Sequence, residues 1–141
     1  KRPRCSSIPL AMTAMGRAYL WALEAPRQSR LLAAIRQQAP ENGDTVIASI
    51  KSSFGELERD GFCCTFPSAR TDICGVGAPL VFNGGDTILA LNCGSARLGL
   101  NERRFRADCG PALLGAIAQI KNTLGRISAE ELGIADSLDR T

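Results

Sequence analysis

The chemistry open to this chain is narrowed first by a residue it lacks. Cysteine occurs at Cys5, Cys63, Cys64, Cys74, Cys93 and Cys109, and histidine does not occur at all. Ser-His-Asp triads and Cys-His pairs both need an imidazole base, so neither mechanism is available. No C-x-x-C pair is present, and without histidine no mixed zinc set can be completed. Cys63 and Cys64 are adjacent, and neighbours on a strand point to opposite faces, which makes them poor co-ligands. The cysteines read as small buried hydrophobes in a reducing cytoplasm. No paired acids frame an apolar stretch for general acid–base work. The chain reads as a non-enzyme with no cofactor and no metal.

A second chemical feature is made of backbone. In SIPLAMTAMGRAYL, Pro9 and Thr13 announce a helix whose first turn holds only Ala14, Met15 and Gly16. Glycine costs a helix interior roughly 1 kcal/mol relative to alanine, so something must compensate for it. A helix start without bulk leaves free N–H groups and the positive dipole end open to a carboxylate. Tight packing on a sheet asks for the same small residues. A similar pair of readings attaches to Gly75 and Gly77 in ICGVGAPLVF, where strand glycines mark close approach by a ligand or by a helix.

These residues need elements to hold them. The helix that opens near Ala11–Ala14 is apolar around most of its circumference through Leu23 and should be largely buried. Pro26 ends or restarts it, and Leu31, Leu32 and Ile35 place a second helix over 27–38. PENGD (40–44) is loop; from Thr45 the spacing of Val46, Ile47, Ile50, Phe54 and Leu57 predicts an amphipathic helix capped by Gly61. The period then changes. FCCTF (62–66), ICGVGAPLVF (73–82) and TILALNC (87–93) predict strands, the last two joined by an Asn-Gly hairpin in NGGD. On the second strand Cys74, Val76, Ala78, Leu80 and Phe82 share a face. Leu113, Ile117, Ile120 and Leu124 mark a last helix over 101–126, with Pro111 in its first turns or kinking it. Helices, strand, hairpin and helix in this order predict an α+β fold, an antiparallel sheet flanked by helices.

The 141 residues suit one domain, with 45% hydrophobic and 22% charged residues. No apolar run nears the ~18 residues of a membrane span. The net charge of +3 sits partly in Lys1, Arg2 and Arg4, and no basic stripe suggests direct contact with nucleic acid. There are no internal repeats.

IPLAMTAMGRAYL, RDGFCCTF and GVGAPLVFNGGDTILALNCG, in that order, resemble the C-terminal effector-binding domain of IclR-type transcriptional regulators. The resemblance spans residues 8–126, leaving 1–7 as a linker remnant and 127–141 as a tail. It implies a GAF-like fold, a sensor of small organic acids, and self-association as a dimer or tetramer. DNA would be contacted only through an N-terminal winged helix-turn-helix, which is expected to be missing here with the first helix and strands of the effector domain. In the family the helix start lines the pocket, which places Ala14, Met15 and Gly16 there as a backbone floor. Thr65 falls where family members carry a polar, commonly acidic, residue. Gly75, with Cys74 one residue off, falls at a position often held by cysteine. Asn92 stands for the Ser or Asn that hydrogen-bonds the effector, and buried in an apolar strand it would need partners. Gly94-Ser95-Ala96 departs from the usual Gly-Pro ending, and Arg70 is an outlying carboxylate candidate. The competing functions are a cysteine-based redox sensor or small enzyme on the same scaffold, which a single fast-reacting thiol would favour, and a dimerisation domain without ligand.

Overall fold

The computed structural model describes residues 9–66, 73–96 and 101–124. A 3-10 turn at Leu10–Met12 leads into α1 (Ala14–Ala22). Thr13 is the N-cap: its backbone is extended, and its hydroxyl accepts the Gly16 N–H at 2.9 Å. At the other end Gln28 donates Nε2 to the Leu20 and Trp21 carbonyls, at 2.9 and 3.2 Å, satisfying acceptors the helix cannot. Pro26 is in the first turn of α2 (Ala25–Gln38), where its missing N–H costs nothing. α3 (Gly43–Asp60) stops at Gly61, which adopts φ 80° and gives its N–H to Leu57 O.

β1 (Cys63–Thr65), β2 (Ile73–Phe82) and β3 (Thr87–Ala96) form an antiparallel sheet in that order. Gly77 stands between Cys63 and Asn92, and Gly75 between Thr65 and Gly94. Cross-strand partners share a face, so these six residues and Ala90 lie on one side of the sheet. Cys64, Cys74, Val76, Ala78, Leu80 and Cys93 lie on the other. The β2–β3 turn contains Asn83, Gly84 and Gly85 at φ 52°, 68° and 112°, the left-handed geometry for which Asn and Gly are suited. β3 outruns its expected end at Cys93 because the ladder continues to Ile73 opposite Ala96.

Helices cover both faces. α1 lies on the first, backed by α3 and α2, with Ala14, Ala18, Leu57 and Cys63 in one cluster and Leu20, Leu23 and Ile50 in the next. α4 (Glu102–Leu124) lies on the second, where Phe62, Val76, Leu80, Phe105, Leu113 and Ile117 form the larger core. The expected α+β layout is the observed one. Pro111 is the tenth residue of α4 rather than part of its first turns. It removes the N–H that would reach the Ala107 carbonyl, and both residues are exposed, so water can take that carbonyl. Arg106 ties α4 to α3: Nη1 donates to Glu56 Oε2 and Nη2 to Asp60 Oδ2, each at 2.8 Å, with the guanidinium 5.3 Å from the Phe62 ring centre. The proposed linker 1–7, the tail from 127, Cys5 and Arg70 lie outside the described residues.

Candidate functional site

The first turn of α1 rests on β2 at Gly77. A Cβ there would meet the Ala14 carbonyl carbon, with Ala14 O at 2.5 Å and Met15 N at 2.6 Å. Only glycine lets the helix backbone settle that close. From this point α1 runs toward the hairpin end of the sheet, where Leu20 and Leu23 pack near Ile88. Its N-terminus therefore faces the opposite end of the same surface, which carries Thr65, Gly75, Asn92 and Gly94. Gly16 N is held by Thr13 Oγ1 and Arg17 N by Thr13 O at 3.0 Å. That leaves the Ala14 and Met15 amides as the first-turn donors at the positive end of the helix.

The expected site residues do not all fall in this space. Thr65 and Gly75 are half-buried neighbours: a Cβ on Gly75 would be 3.2 Å from Thr65 Oγ1 and 3.6 Å from the Ala14 Cβ. Ala14 is buried, and Met15 is 41% exposed. Asn92 shares the face but is exposed, not deep among apolar neighbours. The reason is its position: β3 borders the described sheet, and α1 covers it only as far as Ala90. At Gly16 a Cβ would strike Leu10 O, so the 3-10 turn packs directly against this glycine. Cys74 lies on the opposite face, because alternation turns it into the α4 core at 1% exposure.

Sequence reasoning missed Arg17. Its Nε donates to Ala11 O at 2.8 Å, and Nη1 donates to Ser53 Oγ at 2.9 Å and Ser49 O at 3.4 Å. Burial lowers its pKa, which Cys63, once ionised, and the Glu56 carboxylate oppose. This one cation fastens the 3-10 turn and α3 to α1, and so holds the helix start in place. Its signal was an arginine alone in an otherwise small and apolar helix.

The Cys63 and Cys64 thiols are poorly placed for reactivity. Burial, with Glu56 adding to it, pushes Cys63 up to about 12, and its Sγ donates to Ala14 O at 3.4 Å. Cys64 is pushed up to about 11, again chiefly by burial. Both stay neutral near pH 7 and lack the thiolate that reactivity requires. Among the described residues no three acidic or cysteine side chains are placed to hold a metal.

No protein-family profile matches the chain, and no curated protein matches it by sequence. Solved structures do. An IclR family transcriptional regulator from Brucella abortus matches at 28% identity and TM-score 0.76, over 87% of this chain and 46% of its own. The Agobacterium tumefaciens repressor BlcR matches at 16% identity and TM-score 0.65, over 88% of this chain and 52% of its own. The inducer-binding domain of the Acinetobacter transcription factor PobR, a double mutant in complex with 3-hydroxybenzoic acid, matches at 16% identity and TM-score 0.59. That match covers 85% of this chain and 74% of the PobR domain. This chain thus spans about half the length of the two full regulators. In the order of its motifs and in its fold, it resembles the C-terminal domain of IclR-type transcriptional regulators.

Proposed function

We propose that this domain senses a small organic acid for an IclR-type transcriptional regulator, and that the acid sets DNA binding by a helix-turn-helix domain outside this chain. The observation that carries the reading is the seat of α1 on Gly77, which aims the helix N-terminus at the face bearing Thr65, Gly75 and Asn92. The Ala14 and Met15 amides suit a carboxylate. Asn92 offers two donors and an acceptor, and Thr65 a hydroxyl, for a second polar group on the acid. Met15 and Ile73, at 41% and 62% exposure, are large apolar side chains at this end for its carbon skeleton. The 3-hydroxybenzoic acid held by the Acinetobacter domain supports the ligand class. Among the described residues no helix is long and apolar enough to cross a membrane, and the proposed setting is the cytoplasm. Self-association as a dimer or tetramer belongs to the same proposal, since symmetric assembly is the common rule; sedimentation at micromolar concentration tests it.

Calorimetry with 3-hydroxybenzoate and related acids tests the site. Losing a hydrogen bond to a charged group costs about 1.5–3 kcal/mol, roughly one to two decades of affinity. Asn92→Leu is expected to weaken binding at least tenfold. Its thermal stability should stay close to wild type because the side chain is exposed. Equal affinities in the two proteins would remove Asn92 from the site.

A further inference from the structure

The other face of the sheet carries a different pair of reactive groups. Cys93 stands opposite Val76 in the β2–β3 ladder, and Cys109 lies in the first half of α4. Both line an open groove of about 400 Å³, together with Ser95, Arg104, Phe105 and Asp108. The two thiols face the same groove, close enough for Cys93 to act on the Cys109 sulfur. Both are free; Cys93 is exposed and Cys109 half-buried, unlike the buried Cys63, Cys64 and Cys74. Arg104, paired with Asp108 at 3.4 Å, brings a cation to the same groove.

We propose that Cys93 and Cys109 form a reversible disulfide when the protein meets a hydroperoxide, fastening β3 to α4 across this groove. Exposure assigns the roles. The Cys93 thiolate attacks a peroxide oxygen; the O–O bond breaks, a sulfenic acid forms, and the departing oxygen leaves as water or alcohol. The Cys109 sulfur then attacks the Cys93 sulfur, the S–O bond breaks, and a second water leaves. Two thiols lose two protons and two electrons, and the peroxide takes them up. Reduction by thiol exchange returns both cysteines. Burial, then the charge and hydrogen bond of Cys93, and finally Asp108 push the Cys109 thiol up, which suits it to the resolving rather than the attacking part.

The link has a route to the opposite face. Cys93 lies between Asn92 and Gly94, whose side of the strand is the candidate acid site. Fixing Cys93 to α4 holds that end of β3, so the oxidised and reduced forms should differ in acid affinity. This last step rests on the sensor reading; the disulfide does not.

The full chain, treated with hydrogen peroxide, alkylated and digested without reductant, is read by mass spectrometry. The expected product joins the Cys93 peptide to the Cys109 peptide and disappears with dithiothreitol. Cys93→Ser and Cys109→Ser should each abolish it with an unchanged circular dichroism spectrum, and Cys109→Ser should leave a dimedone-trappable sulfenic acid on Cys93. Oxidised glutathione on the unaltered chain gives the same link by exchange if a variant fails to fold. A dominant pairing of other cysteines, or overoxidation of Cys93 beside a still-reduced Cys109, overturns the proposal. Titrating 3-hydroxybenzoate into both forms separates the two readings: binding to neither overturns the sensor, and equal binding to both overturns the coupling.

Discussion

The two faces of the sheet are packed by different means. On the α4 face large side chains interlock, with Phe62, Phe105, Leu113 and Ile117 set against Val76 and Leu80. On the α1 face the helix backbone rests on the strand at Gly77, among Ala14, Ala18 and Cys63. Long side chains reach past the helix that bears them and cover a face evenly. Backbone contact covers only what lies directly beneath it, and coverage stops where the helix stops. A small-residue face can therefore stay dry in the middle and still present polar groups and helix amides at one end, without a cavity in the core.

Substituting the glycines of each face breaks this comparison most sharply. Gly77→Val places side-chain atoms against the main chain of Ala14 and Met15, which cannot yield unless α1 moves. Its cost in urea unfolding should reach or exceed the top of the ~1–3 kcal/mol range for overpacking. Gly110→Ala, on α4, meets the buried ring of Phe62, a side chain rather than main chain. It should fall inside that same ~1–3 kcal/mol range. If Gly110→Ala proved the more damaging, the contrast between backbone and side-chain packing would be reversed.

Arg17→Met comes next. It removes hydrogen bonds from the 3-10 turn and from Ser53 together, and should cost about 1.5–3 kcal/mol in the same measurement. No loss would mean that the helix start is held by Gly16 and Gly77 alone.

Smaller again is the acid limb of stability. Hydrogen bonds from Arg59 and then Arg106 hold Asp60 below its usual carboxylate pKa. A folded pKa below the unfolded one means a contribution present above about pH 4 and lost as pH falls through the depressed value. Melting curves against pH should show this decline below about pH 4, and Arg106→Gln should flatten it. An unchanged acid limb in that variant would take the clasp out of the stability account.

The smallest expected effect sharpens the site rather than the core. Gly75→Ala finds its nearest neighbour, Thr65 Oγ1, at 3.2 Å, tight but side-chain only. Stability should stay within about 0.5 kcal/mol of wild type, while the methyl group should intrude on the proposed acid site and lower affinity for 3-hydroxybenzoate. Unaltered binding would move the site away from Gly75.

How far the sequence could be read follows from the range of each signal. β2 was readable residue for residue, because five apolar side chains alternate between turn residues. Gly61 was readable as a helix stop because one residue of left-handed backbone decides it. Gly75 and Gly77 were only half readable, since a ligand and a helix ask the same thing of a strand. The structure divides them: α1 takes Gly77, and Gly75 lies at the margin. Gly16 was half readable for the same reason. Asn92 misled because exposure depends on what lies beyond β3, which no local pattern encodes. Arg17 and Arg106 find partners 36 and 50 residues away, beyond any spacing rule.

Glu56 does a second thing besides pairing with Arg106. Its Oε2 accepts the Cys64 N–H at 3.0 Å, on the side of β1 turned away from β2. An incoming strand would need that donor, and it is already occupied by a carboxylate that Arg106 holds in position. β1 also exposes only a three-residue edge. β3 offers ten residues with no second partner among the described residues. Among the described residues the sheet is thus guarded at its β1 edge and unpaired along β3, which disfavours strand exchange or fibre-like stacking through β1 and leaves β3 as the edge suited to an added strand.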